Sequence, residues 1–164
     1  MAATVSSTLN LSLTTTETLD ATLTPDAVTP QVVHNGLNLQ KRLNATSTPA
    51  ASATASKTGA LTAGAATIDM TSLQGTNGVT VNATGLHVRA FLLSCPATNA
   101  APVTFRFGAS NPYNLRGSSW SITLQPGDAE EGYCSAAPAV GSGAKQIDVV
   151  GTGTDSFSYQ FLLG

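Results

Sequence analysis

The sequence predicts an all-β protein: an antiparallel β-sandwich or jelly-roll-like domain preceded by an extended N-terminal arm. Two observations support this fold class. Apolar and polar residues alternate over roughly four to eight residues in most apolar segments, which is the period of a strand with one buried face. Short stretches rich in Gly, Asn and Pro, such as Gly75–Gly78 and Asn111–Asn114, separate these segments and favour turns.

Aromatic residues mark the clearest strands in the second part of the chain. In Val103–Phe107 and Phe157–Phe161 every second residue is large and apolar, and the residues between them are polar. Trp120 begins a similar segment and is expected to anchor the core, because an indole buries a large apolar area. In residues 86–93 the even-numbered positions, from Leu86 to Leu92, are expected to share one face. The predicted strands of this part are 65–70, 78–83, 86–93, 102–107, 120–125, 145–150 and 156–162.

Residues 1–60 are assigned to the arm and residues 61–164 to the sandwich. Leucines alternate with small polar residues between residues 9 and 13, which predicts a strand, but the arm contains no aromatic residue. Such strands need the apolar face of another molecule, so we expect the arm to contact neighbouring subunits. Residues 44–56 are low in complexity, and two interpretations stay open: a flexible linker, or chain that is ordered only against a neighbour.

Charged residues are scarce and set limits on the partners. They make up 10% of the chain, with 7 Lys and Arg against 9 Asp and Glu and a formal net charge of -2. No nucleic-acid partner is expected, because phosphate binding needs a basic surface. No membrane span is expected either, since a span needs about 20 consecutive apolar residues and the longest run, Ala90–Leu93, is far shorter. The first residues show no secretory leader, so synthesis in the cytoplasm is expected.

The histidines and cysteines show no catalytic or zinc-binding pattern in the sequence. Neither His34 nor His87 stands in a sequence context typical of an activated nucleophile and its base. Cys95 and Cys134 are expected to be reduced thiols, buried or half-buried, because cytoplasmic thiols rarely form disulfides; the alternative is a single bridge formed after release from a cell. Their spacing also does not fit a zinc site built from paired cysteines.

One acidic cluster, Asp128, Glu130 and Glu131, directly follows Pro126 and Gly127. We interpret it as a solvated turn. The alternatives are the beginning of a calcium site, which needs several oxygen ligands, or a pair of glycosidase carboxylates. The sequence therefore predicts no catalytic residue, no metal and no cofactor.

Residues 110–120 are the most distinctive segment, because they combine Tyr113, Arg116 and Trp120, residue types that are enriched in interface hot spots. Three interpretations are open for this segment: a loop packed on the core, a subunit interface, or a platform on which a sugar stacks. The residues predicted to form interfaces, here and in the arm, are Tyr113, Asn114, Leu115, Arg116, Leu9, Leu11 and Leu13.

The β module contains Gly108–Leu115 before Ser119 and Trp120, followed by Leu124–Gly127, and a Thr/Ser/Ala-rich arm precedes it. In these segments the chain resembles small virion structural proteins of tailed bacteriophages. They include head decoration (cement) proteins and components of tails and fibres. The resemblance implies synthesis in the host cytoplasm, homo-oligomers and docking on a capsid lattice, and it supplies no catalytic residue.

We therefore expect a non-enzymatic virion protein, a capsid decoration or cement subunit that stabilises the head lattice. Its expected partners are the major capsid protein and further copies of the chain, in a homodimer or homotrimer. The alternative is a tail-fibre or adhesin-like module that binds cell-surface glycan through Tyr113, Arg116 and Trp120.

Overall fold

A computed structural model describes residues 5–18, 31–75 and 78–164, without the side chains of 11–18 and 31–39. The chain divides into two compact units: the larger contains Leu43–Gly164 and the smaller Thr8–Arg42. Every regular element of two or more residues in the described part is a β-strand. No helix in these residues is long and apolar enough to cross a bilayer.

The larger unit consists of two four-stranded antiparallel sheets and a small two-stranded one. Sheet I has the strand order β10-β7-β12-β3, sheet II has the order β4-β11-β8-β9, and β5 pairs with β6. The strands are β3 Ala53–Ala60, β4 Ala65–Asp69, β5 Leu73–Gln74, β6 Thr80–Val81, β7 Val88–Ser94, β8 Val103–Phe107, β9 Ser121–Leu124, β10 Ala129–Tyr133, β11 Gln146–Val150 and β12 Ser156–Leu163.

The core lies between sheets I and II and takes large residues from both. Phe105 of β8 and Phe157 of β12 meet edge to face, with ring centroids 6.1 Å apart, which is a favoured aromatic geometry. Trp120 is buried, and its indole Nε1 donates a hydrogen bond of 2.8 Å to the carbonyl oxygen of Tyr113. The predicted all-β sandwich and the burial of Trp120 are confirmed.

Each predicted strand of the second part overlaps an observed strand, although 78–83 is reduced to Thr80–Val81. Four strands were not predicted: β3, β5 and β10 of the larger unit, and Gln31–Asn44 of the smaller one. The linker interpretation is wrong for Ala53–Ser56, because β3 pairs with β12 from Ala53 opposite Leu163 to Ala60 opposite Ser156. Residues 53–60, which the sequence assigned to the arm, therefore form an edge of the sandwich.

The predicted alternation in β7 fails at one irregularity. Leu162 of β12 lies opposite Ala90, but Leu163 lies opposite Val88, so the register skips one residue. As a result, Val88 shares the core with Phe91, whereas the predicted alternation placed these two residues on opposite faces. A β-bulge of this kind reverses the inside and outside positions beyond it.

The smaller unit is built from β1, Ser6–Thr18, and β2, Gln31–Asn44, which pair with each other. The amide Nε2 of Gln40 donates a hydrogen bond of 3.0 Å to Oδ1 of Asn10. Since Asn10 and Gln40 lie side by side, β1 and β2 can pair over nearly their whole length only if they run antiparallel. Leu9 is buried, whereas its neighbour Asn10 is exposed, as a strand with one apolar face requires.

Candidate functional site

The segment from Gly108 to Trp120 is packed against the core. The Tyr113 side chain is fully buried: its hydroxyl accepts a 3.1 Å bond from the Val88 N–H and donates a 2.8 Å bond to the Pro138 carbonyl. Burial raises the pKa of Tyr113 to about 12. Leu115 is also buried. Two of the residues predicted for interfaces are thus core residues in this structure, which favours the packed-loop interpretation.

Arg116 is the exposed residue of the predicted set in this segment, and Asn114 is half-buried. The guanidinium carbon of Arg116 lies 4.9 Å from the centroid of the Phe91 ring, and its Nη2 lies 3.4 Å from Oε1 of Glu130. The same guanidinium contacts Gly132 of β10 so closely that a Cβ there would collide with it. Arg116 therefore closes the open side of the sandwich beside β10.

A sugar platform made of Tyr113, Arg116 and Trp120 would need exposed rings. Both aromatic side chains are buried, with 0% and 6% of their surfaces exposed. Trp120 bonds to the carbonyl of Tyr113, whereas Arg116 contacts Phe91, Glu130 and Gly132. For the arm, Leu9 is buried, and the side chains of Leu11 and Leu13 lie outside the described residues.

Asp128, Glu130 and Glu131, which are close in sequence, point in different directions in the structure. Asp128 closes the turn between β9 and β10, because its Oδ2 accepts a 3.1 Å bond from the Gln125 N–H. Glu130 and Glu131 belong to β10 and lie opposite Leu93 and Leu92, on different faces of sheet I. The turn interpretation is therefore wrong for these two residues. No group of three His, Cys, Asp or Glu side chains that could hold a metal occurs among the described residues.

The cysteines and the described histidine have structural surroundings. Cys95 and Cys134 are free and buried, as expected, and burial raises the pKa of the Cys134 thiol. A raised pKa disfavours the thiolate that a nucleophile requires. His87 Nδ1 lies 2.7 Å from the Ala137 carbonyl oxygen, and because a carbonyl only accepts, Nδ1 carries the proton. The His34 side chain lies outside the described residues.

An open groove that sequence reasoning missed runs over sheet I beside β3, with a volume of about 570 Å³. Hydroxyl and amide side chains dominate its lining, and Leu92, which is 41% exposed, gives it an apolar centre. Thr58 and Ser158 share a hydrogen bond of 2.9 Å across two strands there. The polar side chains that line the groove include Ser56, Thr58, Ser94, Ser158 and Gln160. Recognising this groove required recognising β3 as a strand.

Comparisons with known proteins add no relative: no family model, no curated protein and no solved structure matches this chain.

Proposed function

We propose that this chain is a non-enzymatic structural subunit of a virus particle, a decoration or cement protein on the head of a tailed bacteriophage. The observation that carries the proposal is the N-terminal two-stranded sheet. Its strands have 13 and 14 residues, whereas the longest strands of the sandwich have 8. This sheet forms a compact unit of its own.

A two-stranded sheet on its own is marginally stable in water, because it cannot bury an apolar face. Leu9 is already buried within the chain, and the leucines at residues 11 and 13 continue its alternating apolar pattern along β1. This further part of the pattern would be stabilised where another protein covers it. A capsid lattice offers many copies of one such surface. In this role, β1 and β2 attach the protein to the major capsid protein.

The chemistry of the sandwich suits a clamp that performs no reaction. The groups considered as candidates for catalysis or metal binding have structural roles: Glu130 pairs with Arg116, Asp128 closes a turn, and the Cys134 thiol is buried. With 10% charged residues, the surface is rich in Ser and Thr hydroxyls and in backbone groups that hydrogen-bond at close range. A clamp needs broad contact of this kind more than it needs a reactive centre.

The proposal is tested by binding of the protein to any particles that co-purify with it, measured by co-sedimentation and imaged by cryo-electron microscopy. The double variant Leu11→Lys/Leu13→Lys should stay in the supernatant, because charges on the apolar face of β1 oppose burial. The matched control Ser12→Lys/Thr14→Lys changes the alternate positions and should still sediment with the particles. Regular copies on an icosahedral lattice are expected in the images.

Two results would contradict this function. One is equal binding by the Leu11→Lys/Leu13→Lys variant and the control, which would remove β1 from the interface. The other is a purified protein with which no particle is associated.

The groove over sheet I favours a second candidate function, a tail-fibre or adhesin-like module that binds glycan. Its hydroxyl and amide groups from Ser94, Ser158 and Gln160 surround the exposed Leu92. Saccharides present hydroxyls around apolar C–H faces, so this lining offers complementary groups. Binding to a glycan array that is lost in Gln160→Ala and kept in Gln125→Ala, an exposed residue outside the groove, would support this function. An array with no bound glycan would remove it.

A further inference from the structure

The two sheets of the sandwich end in four edge strands: β3 and β10 in sheet I, and β4 and β9 in sheet II. Each edge strand presents a row of backbone N–H and C=O groups that its sheet does not use, and such a row is a template for another strand. Proteins block these rows with inward-facing charges or with their own chain. The four edges differ in whether they are blocked.

Both edges of sheet I carry a charge on the face that points to the core. Lys57 of β3 lies opposite Tyr159, and Glu130 of β10 lies opposite Leu93. Because paired residues share a face and Tyr159 and Leu93 are buried in the core, Lys57 and Glu130 are placed on the inner face at the edge. A strand added there would bury these charges.

The edge of sheet II at β4 is covered by its own chain. The Met70 N–H bonds to the Lys145 carbonyl, and the alternation of an antiparallel pair then turns Ala65, Thr67 and Asp69 outward. Ala65 exchanges two backbone hydrogen bonds with Thr62, of 2.9 and 3.1 Å. The Ser72 N–H bonds to the Asp69 carbonyl at 3.0 Å. Both ends of this edge are therefore satisfied within the molecule.

The remaining edge, β9, has neither kind of block. The Phe107 N–H bonds to the Trp120 carbonyl at 3.3 Å, so the same alternation directs Ile122 and Leu124 to β8 and turns Ser121 and Thr123 outward. Apart from the β8–β9 pairing, no backbone hydrogen bond among the described residues involves Ser121 or Thr123. Both side chains are exposed, and Ser121–Leu124 contains no charged residue and no proline.

We propose that β9 pairs with β9 of a second copy of this chain, antiparallel and around a two-fold axis at Ile122. This register places Ser121 opposite Thr123 of the second copy, and the reverse, so the outward groups of both copies form four backbone hydrogen bonds. Sheet II then continues across two molecules as one eight-stranded sheet. The pairing is self-complementary, as an isologous two-fold interface requires.

The side chains of β9 suit this pairing on both faces. On the outer face, the hydroxyls of Thr104 and Thr123 are 2.9 Å apart, and Ser121 of the second copy extends this row of cross-strand hydroxyls. On the inner face, Ile122 is half-buried against the core and meets Ile122 of the second copy. No charges of like sign face each other within the paired strands.

The proposal goes beyond attachment to a particle, because it concerns contact between copies and leaves β1 and β2 free. A dimer formed in this way carries two N-terminal sheets. When both bind one lattice, the second binding event takes place at high effective concentration, which strengthens attachment without a new contact. Four-residue strands bury little surface, so a concentration-dependent dimer is expected rather than a permanent one.

The first test is sedimentation velocity of the full-length protein over a concentration series. The wild-type protein is expected to change from monomer to dimer as concentration rises. Thr123→Pro removes an outward N–H and no bond within sheet II, so it should weaken the dimer by about tenfold or more. The matched control Thr58→Pro makes the same change at an outward position of β3 and should dimerise like the wild type.

A second pair of variants covers the case in which Thr123→Pro fails to fold. Ser121→Lys/Thr123→Lys changes two exposed side chains and places lysines opposite each other in the dimer, so it should be monomeric with an unchanged circular dichroism spectrum. Ile122→Cys should form a disulfide-linked dimer under mild oxidation, because residue 122 lies opposite itself across a closely spaced strand pair. The control Thr58→Cys should not.

Three results would overturn the proposal: a wild-type protein that stays monomeric throughout the series, a folded Ser121→Lys/Thr123→Lys variant that dimerises normally, or an Ile122→Cys variant that dimerises without crosslinking. The last result would point to another occupant of the edge, such as β1 or β2 of a neighbour. These experiments need no capsid, so failure here is distinguishable from failure of particle binding.

Discussion

The ring of Phe157 covers Gly59 so closely that a Cβ built on Gly59 would lie 2.7 Å from Cζ of the ring. The two residues are opposite each other in β12 and β3. Phe157 is fixed on its other side by the edge-to-face contact with Phe105. The absence of a side chain at residue 59 therefore makes room for an aromatic residue of the neighbouring strand.

Gly59→Ala should lower the free energy of unfolding by about 1–3 kcal/mol, because the added methyl group displaces a ring held in a packed core. Urea denaturation followed by Trp120 fluorescence measures this loss. The control Gly143→Ala lies in a turn where a Cβ meets no atom within 4 Å, and it should leave the free energy nearly unchanged. Equal midpoints for the two variants would contradict the packing described here.

Arg116→Ala should destabilise the protein by about 1 kcal/mol, through loss of the cation–π contact with Phe91 and of the partly exposed ion pair with Glu130. The same urea experiment measures the effect, and added salt should weaken only the ion-pair part. Arg106→Ala, which removes an exposed arginine from the outer face of sheet II, is the control. If both variants unfold at the same urea concentration as the wild type, Arg116 does not close the sandwich.

Stability should fall as the pH rises from about 10 to about 12. The pKa of Tyr113 is about 12 in the folded protein against 10.0 as the reference. The unfolded chain therefore loses its proton first, and the folded state loses its advantage across this interval. Burial also raises the pKa of Tyr159 and of Cys134, with the same sign.

Tyr113→Phe isolates the contribution of one residue to this alkaline loss. The variant should be less stable at pH 7, by about 1–3 kcal/mol, because the Val88 N–H and the Pro138 carbonyl lose their shared partner. It should also show a shallower decline between pH 10 and 12, measured by thermal melting at fixed pH values. An unchanged slope would mean that Tyr113 is not the titrating group.

Truncation separates the two units. A chain that starts at Leu43 should keep a cooperative thermal transition, because it contains Leu43–Gly164, the continuous part of the larger unit that holds both four-stranded sheets. A chain that starts at Leu61 should lose that transition, since β12 loses its pairing with β3 along the entire strand. A chain starting at Leu61 that melts cooperatively near the wild-type temperature would restore the linker interpretation of residues 53–56.

The strands that sequence reasoning found are those whose inner positions carry large residues, as in Phe105 and Phe157. Strand β3 was missed because its inner position Lys57 is charged and its inner positions Ala55 and Gly59 are small. Their size follows from the aromatic residues opposite them in β12, and this information is not local. An alternation of small residues with Ser and Thr resembles low-complexity sequence, although here it is the complement of a crowded strand.

Strand β10 was missed for an electrostatic reason. Its residues 130–132, Glu-Glu-Gly, have low strand propensity and suggest a turn. They form a strand because Arg116, remote in sequence, supplies both a partner for Glu130 and a cover for Gly132. For the segment 110–120, the alternation placed Trp120 in the core, but composition could not show that Tyr113 is buried as well.

The position of β12 has a consequence for biosynthesis. This strand lies between β7 and β3 in sheet I and ends at Leu163. During synthesis, β3 and β7 can pair with β12 only after nearly all of these 164 residues have been translated. Pairing between such distant segments is slow. Sheet I therefore cannot be completed before β12 has been synthesised, and nascent chains interrupted before residue 156 are expected to be cleared by proteases.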